Sequence, residues 1–278
     1  MVAAVEAHGA VAGITAVVGG VPTVGLEEPE LARFLDHPDR VAKLTARDVP
    51  WAMARGLDGA TTVAASLLLA ERAGVRVFAT GGIGGVHRGA PVDESADLWE
   101  LARTPLIVVC SGAKAILDLR ATFERLETLG IPVVGYRTSE FPAFFSADSG
   151  IPLGARVERA SEIVEVYAAQ RSIGRPAAML VVQAPPKRFA FSLPELEGVV
   201  RGADESARAA GVTGAALTPY LLDSIRRQTG DRSLDVNLAL LEANAALAAE
   251  IAALRPSAGH VPDSICGASG TQGAGGAR

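Results

Sequence analysis

The residue best suited to covalent chemistry is Lys114, in the segment LIVVCSGAKAILDL at residues 106–119. It follows an apolar run typical of a buried strand, and we predict that it lies in the first turn of the next helix. Burial and the positive end of that helix would both disfavour the ammonium form and lower the pKa of Lys114. Such a lysine can form a Schiff base with a sugar aldehyde, whereas an ordinary lysine would extend from the sheet edge to solvent.

A second candidate is the glycine-rich segment Thr80–Gly89, TGGIGGVHRG, which also follows an apolar run. Four glycines within five residues indicate either a backbone that approaches a ligand closely or a surface turn. A dinucleotide-binding fingerprint starting at Gly82 would need Gly or Ala where the chain has His87. The phosphate-loop pattern would need Gly-Lys-Ser/Thr, which the segment lacks. Neither common nucleotide motif is therefore present.

Carboxylates follow the glycine segment at Asp93 and Asp97, with Ser95 between them. Their position at a predicted helix start fits helix capping, for which Asp93 or Ser95 is suitable. The same oxygens could hold Mg²⁺ or Mn²⁺ with several waters completing the coordination. The spacing alone leaves both interpretations open.

Three cations are candidate ligands for a phosphate group: Lys43, Arg47 and Arg88. Arg presents a fork that suits two hydrogen bonds to phosphate, while Lys acts as a point charge. Surface cations are common, so each is a weak indication by itself.

These residues lie between short apolar runs and helical patterns that alternate along the chain. Continuous apolar runs favour parallel strands covered on both faces, and the alternation predicts an α/β fold with a mainly parallel sheet. Gly74 and Gly130 stand where two of the helices should end. The predicted strands are Val11–Val18, Val75–Thr80, Leu106–Cys110, Ile131–Tyr136 and Ala177–Gln183, and the predicted helices between them are Thr61–Ala73, Ser95–Arg103, Lys114–Leu129 and Ser161–Arg171.

After about residue 190 the pattern becomes helical without strands, over Leu193–Ala210, Pro219–Thr229 and Leu234–Leu254. No flexible linker precedes these helices, so we expect them to cover the sheet within one domain spanning residues 1–255. Residues 256–278 are rich in Gly, Ala, Ser and Pro, which predicts a disordered tail.

Composition excludes several classes of protein. Of the 278 residues 49% are apolar and 21% charged, as in soluble globular proteins, and the net charge of −5 provides no basic surface for nucleic acid. Cys110 and Cys266 are poor disulfide partners because one lies in an apolar run and the other in the tail, which favours a cytoplasmic protein. The first 25 residues have no basic signal region, and no apolar stretch is predicted to span a membrane.

Longer segments of the chain resemble the pseudouridine-5'-phosphate glycosidase family, also called indigoidine-synthase-A-like. The resemblance covers roughly residues 1–254 and is specific because the matching motifs are long and occur in the same order. They are TARDVPWAMARGLDGATTVAAS, VFATGGIGGVHRGA, ESADLWELARTPLIVVCSGAKAILDL, GYRTSEFPAFF, LTPYLLDSI and SLDVNLALLEANAALAAEIA.

The resemblance implies a three-layer α/β/α fold, a homotrimer, and reversible cleavage of pseudouridine 5'-phosphate to uracil and ribose 5-phosphate. It implies that Lys114 is the Schiff-base nucleophile, that Asn237 is an active-site amide and that Asp93 binds Mn²⁺ or a similar divalent cation such as Mg²⁺. The residues that match the family's substrate contacts are Lys43, Val63, Ser95, Ala96 and Asp97.

The resemblance also implies a preceding strand, approximately VALEST, that carries a glutamate acting as proton donor. This chain matches from the following helix, and Glu6 does not occupy the glutamate's position. We therefore expect low or no turnover, with a sugar-phosphate-binding protein without activity as one alternative. A Schiff-base aldolase acting on another sugar phosphate is the other.

Overall fold

The computed structural model describes residues 1–89, 93–213 and 216–254. Helices and strands alternate over most of this length, and a helical region follows the last strand. The helices are α1 Val2–Glu6, α2 Glu28–Asp36, α3 Val49–Arg55, α4 Val63–Arg72, α5 Ala96–Arg103, α6 Leu119–Thr128, α7 Ala160–Ser172, α8 Leu193–Ala209, α9 Leu217–Thr229 and α10 Arg232–Ala253. The strands are β1 Thr15–Val18, β2 Val21–Val24, β3 Ala42–Leu44, β4 Gly59–Thr61, β5 Val77–Ala79, β6 Val86–His87, β7 Ile107–Cys110, β8 Leu117–Asp118, β9 Val133–Tyr136, β10 Arg156–Val157 and β11 Met179–Val182.

The central sheet contains five parallel strands in the order β10-β9-β11-β7-β5. Its three inner strands are four-residue apolar segments, IVVC, VVGY and MLVV. Continuous apolar strands fit a sheet with both faces covered, and the carboxyl ends of parallel strands meet at one edge. The prediction of a central parallel sheet is confirmed.

The two faces of β7 show why the architecture has three layers. Side chains of a strand alternate between the faces of its sheet. Val108 and Cys110 contact a core that also contains buried residues of α4, α5, α6, α8 and α9. Ile107 and Val109 contact a second core that includes Ile163 of α7 and Ile251 of α10. Helices therefore cover both faces, as the three-layer prediction requires.

A second sheet of four strands, in the order β2-β1-β4-β3, packs on α3 and α4. The sequence predicted a buried strand over Val11–Val18 as part of the parallel sheet, and this prediction is wrong in two respects. The strand begins only at Thr15, and it pairs antiparallel with both β2 and β4. The turn at Gly19 and Gly20, both with positive φ, returns the chain directly into β2 and produces a hairpin.

The late helices α8, α9 and α10 contribute buried residues to the cores that cover the central sheet. The 22-residue helix α10 packs on β5 and β7, and among the residues that the structure describes it is the one helix long and apolar enough to cross a membrane. The sequence predicted this helix over Leu234–Leu254, but it did not predict a stretch that could span a membrane. Its buried side chains include Val236, Leu240 and Ile251, which lie in the two cores, so α10 has the position of a core helix. The predicted disordered tail lies outside the described residues.

Candidate active site

Lys114 lies in a loop at the carboxyl end of β7, and not in a helix as the sequence predicted. Residues 111–116 form this loop, β8 follows it, and α6 begins only at Leu119. The helix starts late because Asp118 caps it, accepting a hydrogen bond of 2.9 Å from the Ala121 N–H. The Lys114 N–H donates instead to the carbonyl of Ile83, at 3.1 Å. Helix polarity therefore cannot be the cause of an altered lysine pKa.

The pKa of Lys114 is nevertheless lowered from its ordinary value. The largest cause is burial, which disfavours the ammonium form, and the nearby charge of Lys43 acts in the same direction. The carboxylate of Asp97 opposes both by attracting the ammonium. Two other residues predicted from the sequence, Lys43 and Asp97, therefore lie within electrostatic reach of Lys114. The net effect of burial and the two charges is a lowered pKa, which increases the fraction of Lys114 that is a neutral amine at neutral pH.

The glycine segment runs alongside the Lys114 loop. The backbones are connected by hydrogen bonds from the Ser111 N–H to the Gly81 carbonyl, at 2.9 Å, and from the Ile83 N–H to the Gly112 carbonyl, at 3.0 Å. Together with the bond donated by Lys114, these contacts fix the lysine backbone against the segment Gly81–Gly85. The position of Lys114 therefore depends on both loops.

Three glycines of this segment, Gly82, Gly84 and Gly85, are required by the protein's own packing. A Cβ on Gly84 would come within 2.3 Å of the Ser95 Oγ, and one on Gly85 would lie equally close to the Thr122 Oγ1, at 2.3 Å. A Cβ on Gly82 would meet the Phe144 ring at 2.6 Å. The sequence suggested close approach of a ligand or a surface turn. The structure gives a third reason, because the side chains that need the space belong to the protein.

Asp97 connects the glycine segment to the helix α4. Its carboxylate is 3% exposed and accepts hydrogen bonds from the backbone N–H of Ala64, at 2.9 Å, and from that of Gly84, at 2.8 Å. Ser95 is the N-cap of α5, and its Oγ accepts a bond of 3.2 Å from the Asp97 N–H. Of the two capping candidates, Ser95 therefore caps the helix. Val63, the first residue of α4, is buried next to this junction.

A cavity of about 300 Å³ opens beside Lys114 at the carboxyl edge of the central sheet. Lys114, Asn237 and Thr80 provide polar groups in its wall, Phe144 and Phe145 provide aromatic surface, and α9 and α10 close the far side. Among the residues that the structure describes, those lining the cavity include no Asp, Glu or His. The structure thus brings Lys114 and Asn237 together, as the resemblance implied.

Asp93 is exposed, and its carbonyl accepts a hydrogen bond of 2.9 Å from the His87 N–H. Ala96 is the exposed first residue of α5. Within residues 1–89, 93–213 and 216–254, no three His, Cys, Asp or Glu side chains group together as metal ligands. A divalent cation at Asp93 would therefore take most of its ligands from water, a coordination that suits Mg²⁺ or Mn²⁺.

The two candidate arginines have other contacts. Arg88 donates to the backbone carbonyls of Leu117, at 3.1 Å, and Ala115, at 3.3 Å, and so braces the Lys114 loop. Arg47 is largely exposed and pairs with Asp48 at 3.3 Å. Neither lines the cavity beside Lys114.

Asn244 was not predicted from the sequence. It is fully buried on α10, where its Nδ2 donates 2.8 Å to the Thr80 carbonyl and 3.2 Å to the Ser111 Oγ. Its Oδ1 accepts a bond of 2.8 Å from the Gln183 Nε2. The available signal was an amide within the apolar helical segment ANAALAA, seven residues after Asn237 and hence on the same face.

Comparison with known proteins identifies close relatives. A protein of Gemmatimonas aurantiaca named pseudouridine-5'-phosphate glycosidase is 56% identical over 252 residues, covering 91% of this chain and 82% of the relative. A protein of the same name from Methylobacterium nodulans is 49% identical over 273 residues, covering 97% of this chain and 81% of the relative.

Two crystal structures have the same fold. An indigoidine synthase A-like protein from Thermotoga maritima is 36% identical, with a TM-score of 0.82 over 89% of this chain and 82% of its own. The prealnumycin C-glycosynthase AlnA, in complex with ribulose 5-phosphate, is 35% identical, with a TM-score of 0.84 over 90% of this chain and 84% of its own. The model of the family described as indigoidine synthase A like protein matches residues 1–254, so the chain belongs to this family.

Proposed function

We propose that this protein is a C-glycosidase that reversibly converts pseudouridine 5'-phosphate and water into uracil and ribose 5-phosphate, with Lys114 as the nucleophile. The observation that carries the proposal is the position of Lys114 in the wall of a cavity, with its pKa lowered by burial and by Lys43. A neutral amine is the form that attacks an aldehyde carbon. The relatives named pseudouridine-5'-phosphate glycosidase support the choice of substrate.

The chemistry is simplest in the direction of synthesis. The Lys114 amine adds to the C1 aldehyde of open-chain ribose 5-phosphate and expels water, and the resulting imine takes up one proton to become an iminium group. Uracil C5 attacks C1, a C–C bond forms, and the electron pair of the C=N bond returns to nitrogen. Uracil C5 then releases its proton to solvent, which balances the proton taken up by the imine. The sugar O4 displaces the amine to close the ring, and its hydroxyl proton passes to the departing amine nitrogen. Cleavage is the reverse sequence and consumes one water.

An open-chain pentose phosphate fits the chemistry of this fold. Ribulose 5-phosphate, present in the complex of the C-glycosynthase AlnA, has no free C5 hydroxyl with which its ketone could close a five-membered ring. In this chain the Asn237 amide lines the cavity with Lys114, where it can donate a hydrogen bond to a sugar hydroxyl.

For the phosphate we propose the junction between α4 and α5. Lys43 supplies positive charge, and the first turns of the two helices, at Val63 and at Ser95, Ala96 and Asp97, present backbone N–H groups that favour an anion. Asp97 already accepts from one of these groups, the Ala64 N–H, and from the Gly84 N–H of the glycine segment, so its role is to hold the junction in shape.

A divalent cation held by Asp93 would screen the negative charge of the phosphate. Since Asp93 is a single exposed carboxylate, the binding should be modest. The resemblance further implies a homotrimer, and light scattering on the purified protein should give three times the mass of the chain.

Incubation with [¹⁴C]ribose 5-phosphate and borohydride tests the nucleophile, because the chain has only three lysines, Lys43, Lys114 and Lys187. The label should map to the Lys114 peptide and disappear in Lys114→Ala, while Lys187→Ala, the matched control, should label normally. Label that persists in Lys114→Ala would contradict the assignment.

Adding uracil and Mn²⁺ without borohydride distinguishes the remaining possibilities. Formation of pseudouridine 5'-phosphate supports the proposed reaction. An imine trapped in the borohydride experiment, with no product here, would indicate a binding protein without turnover. Condensation of ribose 5-phosphate with a second carbonyl compound added to the mixture, with uracil unused, would indicate an aldolase.

A further inference from the structure

The buried amide of Asn244 joins three strands at the point where each one ends. Thr80 follows β5, Ser111 follows β7 and Gln183 follows β11, and all three bond to Asn244. The bonds to the Thr80 carbonyl and from the Gln183 amide are both 2.8 Å long. One side chain therefore fixes α10 to the carboxyl edge of the central sheet, where the cavity opens.

Two of these partners are the first residues of the loops that hold Lys114. Thr80 begins the glycine segment, and Ser111 begins the loop in which Lys114 is the fourth residue. The loops remain bonded to each other up to the Lys114 N–H, which donates to Ile83 at 3.1 Å. A shift of Asn244 would thus be transmitted through backbone hydrogen bonds to the lysine.

Asn244 also sets the position of Asn237. The two residues are seven apart on α10, so they lie about two turns apart on the same side of the helix. Asn237 lines the cavity with Lys114. Any movement of α10 along the sheet edge would therefore change the distance between the lysine and the Asn237 amide.

Burying an amide is costly unless its hydrogen bonds are satisfied, and the neighbouring buried positions of α10 are apolar residues such as Leu240 and Leu247. A leucine at position 244 would fill a similar volume at lower cost. Unlike leucine, the amide makes directional hydrogen bonds, and these bonds form in only one alignment of α10 with the two loops.

We infer that Asn244 is a positioning residue for the reaction, which aligns Lys114 and Asn237 across the cavity by fixing the loops to α10. This inference rests on the proposed function for its kinetic consequence, but its effect on Lys114 can be measured without substrate.

The test compares Asn244→Leu with a matched control, Gln170→Leu. Gln170 is also a buried amide, 7% exposed, and donates 2.7 Å to the Ala177 carbonyl, near the amino end of β11 and so at the opposite end from the site. Each variant is assayed for thermal unfolding, for uracil release and for the pH dependence of Lys114 acetylation by trace acetic anhydride, read from its peptide by mass spectrometry.

In Asn244→Leu we expect kcat to fall about 10- to 100-fold, as for a small misplacement of a nucleophile, with KM changed by less than about threefold. The midpoint of Lys114 acetylation should move towards the ordinary lysine value as the loop opens to solvent. Gln170→Leu should lower Tm while leaving both kcat and the midpoint as in the wild type.

The inference would be overturned if Asn244→Leu kept the kcat and the Lys114 acetylation midpoint of the wild type. An equal loss of kcat in Gln170→Leu would also overturn it. If Asn244→Leu does not fold, Ser111→Ala decides in its place, because it removes one partner of the amide and should shift the midpoint in the same direction. If the wild type releases no uracil, the proposed function fails, and the acetylation midpoint still decides the role of Asn244.

Discussion

Asp97 and Gly84 fit each other closely: the Asp97 Oδ2 accepts the Gly84 N–H at 2.8 Å, and a Cβ on residue 84 would lie 2.8 Å from the same oxygen. This hydrogen bond forms only if the backbone at residue 84 comes close to Asp97, and only glycine, which has no Cβ, leaves room for that approach. The other oxygen of Asp97 holds the first turn of α4 through Ala64. One carboxylate thus sets the distance between the glycine segment and the proposed phosphate site.

Gly84→Ala should therefore displace the glycine segment from α5. The added methyl would meet the Ser95 Oγ at 2.3 Å, and overpacking of this kind costs about 1–3 kcal/mol of unfolding free energy. Uracil release should fall by about 100-fold, since Lys114 is bonded to this segment. Urea unfolding and the uracil assay measure the two effects.

Gly198→Ala provides the control for this substitution. Gly198 lies inside α8 with open space around its Cα, so alanine should stabilise the protein by about 0.5–1 kcal/mol through helix propensity and leave turnover unchanged. If Gly84→Ala retains wild-type activity, the glycine segment does not control the site.

Lys43→Met should move the pH profile of imine formation upward. The positive charge of Lys43 lowers the pKa of Lys114, so its removal raises that pKa and reduces the neutral amine at pH 7. The measurement is the rate of borohydride trapping at saturating ribose 5-phosphate across pH 6–10. Lys187→Met, which is not among the charges acting on Lys114, should leave the profile in place, and an unchanged profile in Lys43→Met would rule out the coupling.

Lys114→Met should raise stability at pH 7, because burial disfavours the ammonium form in the folded state. The folded pKa lies below the ordinary 10.5, so between the two values the unfolded chain binds more protons. Wild-type stability therefore increases with pH through this window, and the advantage of the variant should shrink towards pH 10. Thermal unfolding of both proteins at pH 7 and pH 10 measures the difference in stability. A stability advantage of Lys114→Met that grows with pH would contradict the prediction.

Asp93→Asn should weaken Mn²⁺ binding at least tenfold, about 1.4 kcal/mol, if Asp93 is the protein's carboxylate ligand. Isothermal titration of Mn²⁺ measures the affinity. Asp36→Asn, at the end of α2, controls for a general loss of surface charge. Equal affinities in wild type and Asp93→Asn would leave Asp93 with a structural role only.

The central sheet could be predicted because its strands are buried on both faces and therefore continuously apolar. Val108 and Ile107 face opposite helix layers, so apolar and polar residues do not alternate along β7. Its short length and its flanking residues identify it as a strand instead. The small sheet was not predicted, since strands such as β3 and β4 have three residues each and carry little pattern.

That Lys114 and Asn237 lie together could be predicted from the resemblance, but their structural setting could not. The apolar spacing after Lys114 suggested a helix, whereas the cap at Asp118 delays it by five residues and backbone bonds to the glycine segment replace it. Such long-range bonds leave no local signal. The same applies to Asn244, whose partners are distant in sequence.

Cys110 lies at the end of β7, fully buried, and burial raises the pKa of its thiol to about 12. A thiol in this state is closed to alkylating reagents until β7 separates from its neighbours. The rate at which Cys110 is alkylated therefore measures how often the central sheet opens next to the Lys114 loop. Peptide mapping separates this signal from that of Cys266, so each variant can be tested for sheet integrity without an added probe.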